Sequence, residues 1–301
     1  MISVIVCTYN RDKYLYDALS RIAGNDYPVD KYEIVLVNNN STDNTIAEAE
    51  RFGRDYPNIR FKIVTELQNG LSYARNKGIE ESGGDTLVFL DDDSAVGSNY
   101  LGNINEDLSQ HPDATAFGGK VVPVFETGKP KWVSCWTMPL FAVTDKGEGT
   151  LIFKGTSYPV GANMGIRRSA FEQYGYFDTQ LGRKRDILLG GEEKDFFYRL
   201  KAQKQKIYYF GNIAVEHFIP ASRTTNDYIK NIGIGVGISE NIRFRTKNPI
   251  QRSFKALWEV TKTCASTLLW LFYAITFRPS KGNAIMLFRT NVVSGFMKKH
   301  K

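Results

Sequence analysis

The chain has 301 residues, 42% hydrophobic and 24% charged, which is enough apolar content to bury the core of one large α/β domain and too much for a disordered chain. Three cysteines, Cys7, Cys135 and Cys264, lie far apart with no CxxC pair, which argues against a disulfide framework or a zinc site and favours the reducing, cytosolic side. The net charge of +7 hides an asymmetry: residues 241–301 hold twelve Lys or Arg against the single acid Glu259, a net of +11, and the first 240 residues carry a net of −4.

Met1-Ile2-Ser3-Val4 runs directly into an apolar strand, with no basic segment and cleavage site to mark secretion. Short apolar runs then alternate with helical patterns. Strand 2–7 precedes a helix from about Asp12, strand 33–37 a helix opening at Thr42 or Asp43, strand 59–64 a helix from Leu71, and strand 87–90 a helix from about Ser98. This alternation predicts βαβ units, a mainly parallel sheet, and ligands at the carboxyl ends of its strands. The polar stretches Thr8-Tyr9-Asn10-Arg11, Asn38-Asn39-Asn40-Ser41-Thr42-Asp43 and Asp91-Asp92-Asp93 each follow a strand, so three polar loops are expected to converge on one sheet edge.

Asp91, Asp92 and Asp93 end the run Thr86–Leu90. Carboxylates there need water or a cation. In an extended segment Asp91 and Asp93 share a face and Asp92 takes the other, which predicts an Asp91/Asp93 pair gripping a hard divalent ion together with a diphosphate. The competing expectation is an Asp-rich turn capping the next helix.

Residues 114–163 read as further strands and an irregular stretch holding Trp132 and Trp136. A helix is expected near Arg168 and another over Glu192–Lys204, followed by two short strands, 207–210 and 213–215, that deliver His217. Glu192 and Glu193 open their helix after two glycines, where free N–H groups and the macrodipole favour carboxylates, and adjacent acids resist double ionisation in a way that suits a general base. Asp195, one turn onward, is placed to orient an acceptor hydroxyl. Beyond Arg252 an apolar helical stripe includes Phe254, Leu257, Trp258, Leu268, Leu271, Phe272 and Ile275. Its uncharged stretch, Cys264–Phe277, falls short of the roughly 18 to 20 residues that cross a bilayer. A basic helix of this kind is expected to lie in the plane of an anionic membrane; the alternatives are packing on the catalytic domain or a dimer contact.

The segments Val4–Arg11, Val37–Thr45 (VNNNSTDNT), Asn69–Gly78 (NGLSYARNKG), Asp91–Asp93 and Gly191–Asp195 (GEEKD) occur in the order found in family 2 glycosyltransferases of GT-A fold, and the chain resembles that family from about residue 2 to residue 220. The resemblance implies an inverting enzyme, of the bacterial surface-polysaccharide type. It would move a sugar from a nucleotide donor, usually UDP-linked, to a glycan or lipid-linked acceptor with Mn²⁺ or Mg²⁺ as cofactor. The domains expected are a GT-A catalytic domain over 1–240, with a nucleotide-binding half (1–110) and an acceptor-binding half (111–240), and a basic helical extension over 241–301. The enzyme is expected in the cytoplasm, peripheral on the cytoplasmic face of the inner membrane, with no nucleic-acid partner.

The resemblance also implies roles for individual residues. Tyr9 stacks on the base among Thr8, Asn10 and Arg11. Asn38, beside Asn39, replaces an aspartate that accepts from the uracil ring; an amide oxygen still accepts that bond. Arg75 is directed at the nucleotide, or else pairs with Asp91 or Asp92 to hold the loop. Asp93 and Asp91 bind metal, Asp92 meets the ribose, and His217 meets the metal or the diphosphate. Glu193 is the expected base, with Glu192 as the alternative. Asn163 touches the sugar. Arg183 and Arg185, in the loop 181–186, close over the diphosphate or stay solvated, and Trp132 and Trp136 stack on an acceptor ring or anchor in the interface. Two other functions compete: a nucleotidyltransferase on a related sheet, and a non-catalytic nucleotide-sugar-binding protein.

Overall fold

The computed structural model describes residues 1–184, 187–245 and 247–298. They form two compact units. One comprises Met1–Pro123, Ala142–Thr179 and Glu192–Phe218; the other comprises Val124–Phe141, Gln180–Gly191 and the described residues from Ile219 onward. This division differs from the expected boundary at residue 240.

The strands, which fall in the first unit but for the last two residues of β6 and the last of β9, are β1 (Ile2–Thr8), β2 (Tyr32–Asn38), β3 (Phe61–Thr65), β4 (Thr86–Asp91), β5 (Ser94–Val96), β6 (Ala114–Phe125), β7 (Thr150–Ile152), β8 (Asn163–Arg167) and β9 (Lys206–Ile219). They join one mixed sheet in the order β3-β2-β1-β4-β8-β6-β9-β5, with β7 also on β9. The first four are mutually parallel, and β8 runs antiparallel to both β4 and β6. Helices α1 (Asp12–Ala23), α2 (Thr45–Asp55), α3 (Leu71–Glu81), α4 (Tyr100–Gln110), α5 (Arg168–Tyr174) and α6 (Glu192–Ala202) cover both faces.

Strand alternation explains the two cores. Val4, Val6, Ile34, Leu36, Val88 and Leu90 pack on one face with α1, α2 and α4. The intervening Ile5, Val35, Val37, Leu87 and Phe89 pack on the other with α3, α5 and α6. A strand buried on both faces has apolar side chains in both registers, so it reads as an unbroken apolar run. The parallel register places Thr8 beside Asn38 and Cys7 beside Asp91, so the polar residues that end each run share one edge.

Two local expectations are corrected. Helix α2 opens at Thr45, because Asp43 accepts from the Thr45 backbone N–H at 3.0 Å and from the Asp12 N–H at 3.4 Å, which holds residues 38–44 as a polar turn. His217 follows no short strand. It lies within the 14-residue β9, opposite Ser94 of β5.

The second unit is dominated by α7 (Asn226–Arg245), α8 (Pro249–Ile275) and α9 (Pro279–Met297). Helices α7 and α9 lie backbone to backbone: a Cβ at Gly237 would run into the Val292 carbonyl, and one at Gly295 into the Ile234 carbonyl. This packing places residues 226–240 in the second unit. Asn248 caps α8, its Oδ1 accepting from the Gln251 N–H at 2.8 Å, and Pro249 fits the first helical position, where no donor is needed.

Candidate active site

The loop after β1, the turn after β2, the aspartates after β4 and the start of α6 all belong to the first unit. Asp91, Asp93 and His217 each offer one ligand atom, and the three atoms lie within 4.8 Å of one another. His217 Nε2 is 3.2 Å from Asp93 Oδ1 and 3.9 Å from Asp91 Oδ2. Asp93 and His217 are buried and Asp91 is half-exposed, which leaves the cluster open on the Asp91 side. Two carboxylates and one imidazole suit Mn²⁺, and the oxygen donors alone suit Mg²⁺. The donor set therefore fits the expected cation.

Asp92 faces a different environment. Burial pushes its carboxyl up to about 7, against the pull of Arg11, while the Asp93 charge adds to the rise. Arg11 serves the acidic cluster here: Nε lies 3.6 Å from Asp92 Oδ1 and Nη2 3.6 Å from Asp93 Oδ2. Its backbone N–H donates to Thr45 Oγ1 at 2.8 Å, which fixes the loop against α2.

The loop residues divide by their free polar atoms. Asn10, at a positive φ of 53°, accepts the Thr42 N–H at 2.8 Å and its own N–H donates to Ser41 Oγ at 3.1 Å, so it stitches the first loop to the second. Asn38 Oδ1 accepts from the Ser41 N–H at 3.0 Å, which uses one of its two lone pairs in the turn. Asn39 donates to the Glu66 and Gln68 carbonyls at 3.0 and 2.8 Å and accepts from the Gly70 N–H at 2.8 Å, so its amide braces the segment that leads into α3. Thr8 is buried at the strand end, and Tyr9 follows it half-buried on the bend.

Arg75 provides the main surprise. It is 3% exposed, and its Nη1 donates to Glu192 Oε1 at 2.8 Å and to Glu193 Oε1 at 3.2 Å, across more than a hundred residues of chain. The expected pairing with Asp91 or Asp92 is replaced by this one. Burial alone would lower the Arg75 pKa; Glu193 and Glu192, with a smaller contribution from Asp91, raise it instead. Asp91 is thus near enough to act on the same guanidinium, which links the two acidic groups electrostatically. The neighbouring Asn76 forms a two-way clamp with the Phe177 backbone, at 2.9 and 3.1 Å. No sequence signal distinguished that bracing role from ligand binding.

Gly161 supports the arrangement. A Cβ there would overlap both Arg75 Nη2 and Glu193 Oε1. Gly161→Ala is therefore expected to displace the Arg75–Glu193 contact and to lower turnover at least about tenfold, as overpacking costs of about 1–3 kcal/mol suggest. Donor turnover measured beside a thermal melt checks this, and wild-type turnover in the variant would show that the contact is dispensable.

Two other expected site residues have partners within the protein. Asn163 is 1% exposed; it donates to the Lys120 and Ile213 carbonyls at 3.0 and 2.8 Å and accepts from Tyr100 Oη at 2.7 Å, so it fastens strands instead of facing a sugar. Asp195 pairs with Arg199 one turn along α6, at 3.2 Å. Arg183, Trp132 and Trp136 belong to the second unit. Arg183 and Trp136 are exposed there. Trp132 donates to the Thr224 carbonyl at 3.2 Å, packs near Phe141, and lines a cavity of about 550 Å³ together with Asn226, Asn283, Met286 and Leu287. Arg185 lies outside the described residues.

The family description "Glycosyl transferase family 2" matches residues 3–175. A glucosyl-dolichyl phosphate glucuronosyltransferase of Haloferax volcanii is 26% identical over 246 residues, covering 80% of this chain and 76% of that protein. Among solved structures, the mannosyltransferase PcManGT of Pyrobaculum calidifontis, in complex with GDP-Man and Mn²⁺, superposes with a TM-score of 0.67 at 19% identity, covering 98% of this chain and 86% of that one. Residues 1–349 of TarS from S. aureus, in complex with UDP-GlcNAc, give a TM-score of 0.56 at 18% identity, covering 97% and 90%. At these identities the two structures establish a shared fold.

Proposed function

The chain belongs to glycosyl transferase family 2, and from that premise we propose that it is an inverting enzyme that moves a sugar from a nucleotide donor, UDP-linked in the first instance, to a hydroxyl of a glycan or lipid-linked acceptor. The observation that carries this reading is the coexistence, within one compact unit, of the Asp91/Asp93/His217 cluster and the Arg75-bound pair Glu192 and Glu193.

Asp91, Asp93 and His217 would hold a divalent cation, Mn²⁺ or Mg²⁺, which when bound supplies positive charge to a departing diphosphate. Tyr9 offers a ring face to the base, and Thr8 and Asn38 line the same strand edge. Arg11 holds Asp92 and Asp93 in place against their mutual repulsion. Glu193 takes the proton from the acceptor hydroxyl, since it is the less buried of the two glutamates and Arg75 fixes its orientation. Glu192 completes the neutralisation of Arg75. Attack at the anomeric carbon, in line with the departing nucleotide, inverts the centre with no covalent enzyme intermediate.

Two observations bear on the acceptor. The named relative from Haloferax volcanii is, by its name, a glucuronosyltransferase of glucosyl-dolichyl phosphate, which supports a lipid-linked acceptor here. The Trp132 cavity has a volume typical of small-molecule sites and would offer an aromatic wall to a sugar ring. A lipid-borne acceptor in turn calls for peripheral contact with the cytoplasmic face of a membrane; among the described residues no helix is long and apolar enough to cross one.

The test is a screen of UDP- and GDP-sugars for slow hydrolysis in the presence and absence of Mn²⁺, which needs no knowledge of the acceptor. Metal-dependent release of UDP from one donor is the expected result. UDP binding with no hydrolysis of any donor would favour a non-catalytic sugar-nucleotide-binding protein, and release of GDP alone would reassign the base.

A further inference from the structure

Helix α8 is packed with its polar residues inward. Lys255, Glu259, Ser266 and Tyr273 are its buried residues, on one side of the helix. Glu259 lies 2.8 Å from Lys255 and 2.9 Å from Lys262 and is also paired with Arg289 of α9, and Lys255 further pairs with Glu240 of α7. Burial by itself would raise the Glu259 carboxyl, but its bonds from Lys255, Arg289 and Lys262 hold it down at about 2. The opposite side carries Ile250, Phe254, Leu257, Leu268, Leu271 and Ile275, all between 44% and 76% exposed. At 3.6 residues per turn these six form one stripe along a helix of 27 residues, about 40 Å long. A soluble helix would turn that stripe inward.

Charge decides among possible occupants. The sole acid of residues 241–301 is Glu259, and it is buried in the network just described. Among the described residues, the exposed charges of this stretch are cations: Arg245, Lys247, Arg252, Arg278 and Lys298. Lys247 and Arg278 bracket the stripe in sequence. A second copy meeting this face with its own α8 would bring cations against cations, since the described residues of 241–298 carry no exposed acid to pair them. An anionic lipid surface accepts both features, apolar side chains among the acyl chains and cations at the headgroups.

We propose that α8 is the element by which this enzyme docks on anionic membranes, lying in the plane of the bilayer with its outward stripe buried in lipid. This deepens the membrane contact inferred for a lipid-linked acceptor and rests on that reading for its biological purpose, although the docking itself requires no catalysis. The internal ion network then has a definite role. It satisfies the polar side of α8 within the protein, so that the apolar side is free to face lipid.

The test uses the full chain, sedimented with vesicles of phosphatidylcholine alone or with about one third phosphatidylglycerol. The wild-type protein is expected to co-sediment with the anionic vesicles and to be released by high salt. The exposed double substitution Leu257→Glu/Leu268→Glu is expected to weaken partitioning by at least about tenfold, while Mn²⁺-dependent UDP binding, read without vesicles, stays unchanged as evidence of an intact fold. No sedimentation of the wild type, equal sedimentation of the variant, or equal partitioning into neutral vesicles would each overturn the proposal. A concentration-dependent dimer dissociated by the same substitutions, with no vesicle binding, would overturn it too and assign the face to a second copy. Donor hydrolysis is read separately, so a silent donor screen with intact vesicle binding counts against the catalytic reading alone.

Discussion

Glu193→Gln is expected to lower sugar transfer by about 10³-fold while leaving Mn²⁺-dependent UDP binding within about twofold. The substitution keeps the side chain's size and its carbonyl-type oxygen for Arg75 but removes the group that takes a proton from the acceptor. Glu193 keeps 20% of its side chain exposed, whereas Glu192 keeps 3%, so an acceptor reaches the former more readily. Glu192→Gln should behave differently. It weakens a buried contact of 2.8 Å and leaves Arg75 less well neutralised, so its main effect should be a loss of stability, on the order of 3 kcal/mol, read by denaturant titration. If Glu192→Gln abolishes transfer in a fully stable protein and Glu193→Gln does not, the base assignment passes to Glu192.

Asp93→Asn is expected to remove the effect of Mn²⁺ on UDP binding and to reduce turnover by about 10³-fold. Asp93 Oδ1 is 3.2 Å from His217 Nε2, and its side chain is 1% exposed, so the amide replaces a carboxylate at the centre of the candidate metal cluster. A hard cation binds in proportion to ligand charge, and the near-isosteric amide removes one full unit. The fold should tolerate the change, because Arg11 retains Asp92 as a partner at 3.6 Å. Calorimetry with UDP, with and without Mn²⁺, gives the direct reading. A variant whose UDP affinity still rises with Mn²⁺ would place the cation elsewhere.

The parallel half of the sheet was legible because strands buried on both faces read as apolar runs, and α1 and α3 begin at the expected Asp12 and Leu71. The grouping of Asp91 with Asp93 was expected from an extended segment, whereas β4 ends at Asp91 and Asp93 lies in the turn before β5; that turn and the single long β9 bring Asp91, Asp93 and His217 together. The partners of Asn39, Asn163 and Asp195 were not legible, since an asparagine or aspartate beside a ligand and one bracing a turn are the same residue in sequence. Only the count of bonds already made by their polar atoms separates the two, as the three protein contacts of Asn163 show.

By itself the sequence determined the order of the first four strands and the helices between them, the placing of polar loops at strand ends, and an apolar stripe and a basic excess in the last sixty residues, because each is a local pattern of period or composition. Tertiary structure alone decided that Arg75 meets Glu192 and Glu193, and that α8 turns Lys255 and Glu259 inward and its leucines outward. Periodicity fixes which side chains share a face of a helix. Which face is buried depends on the partners that long-range packing brings up, here Glu240 and Arg289, and those partners lie on other helices.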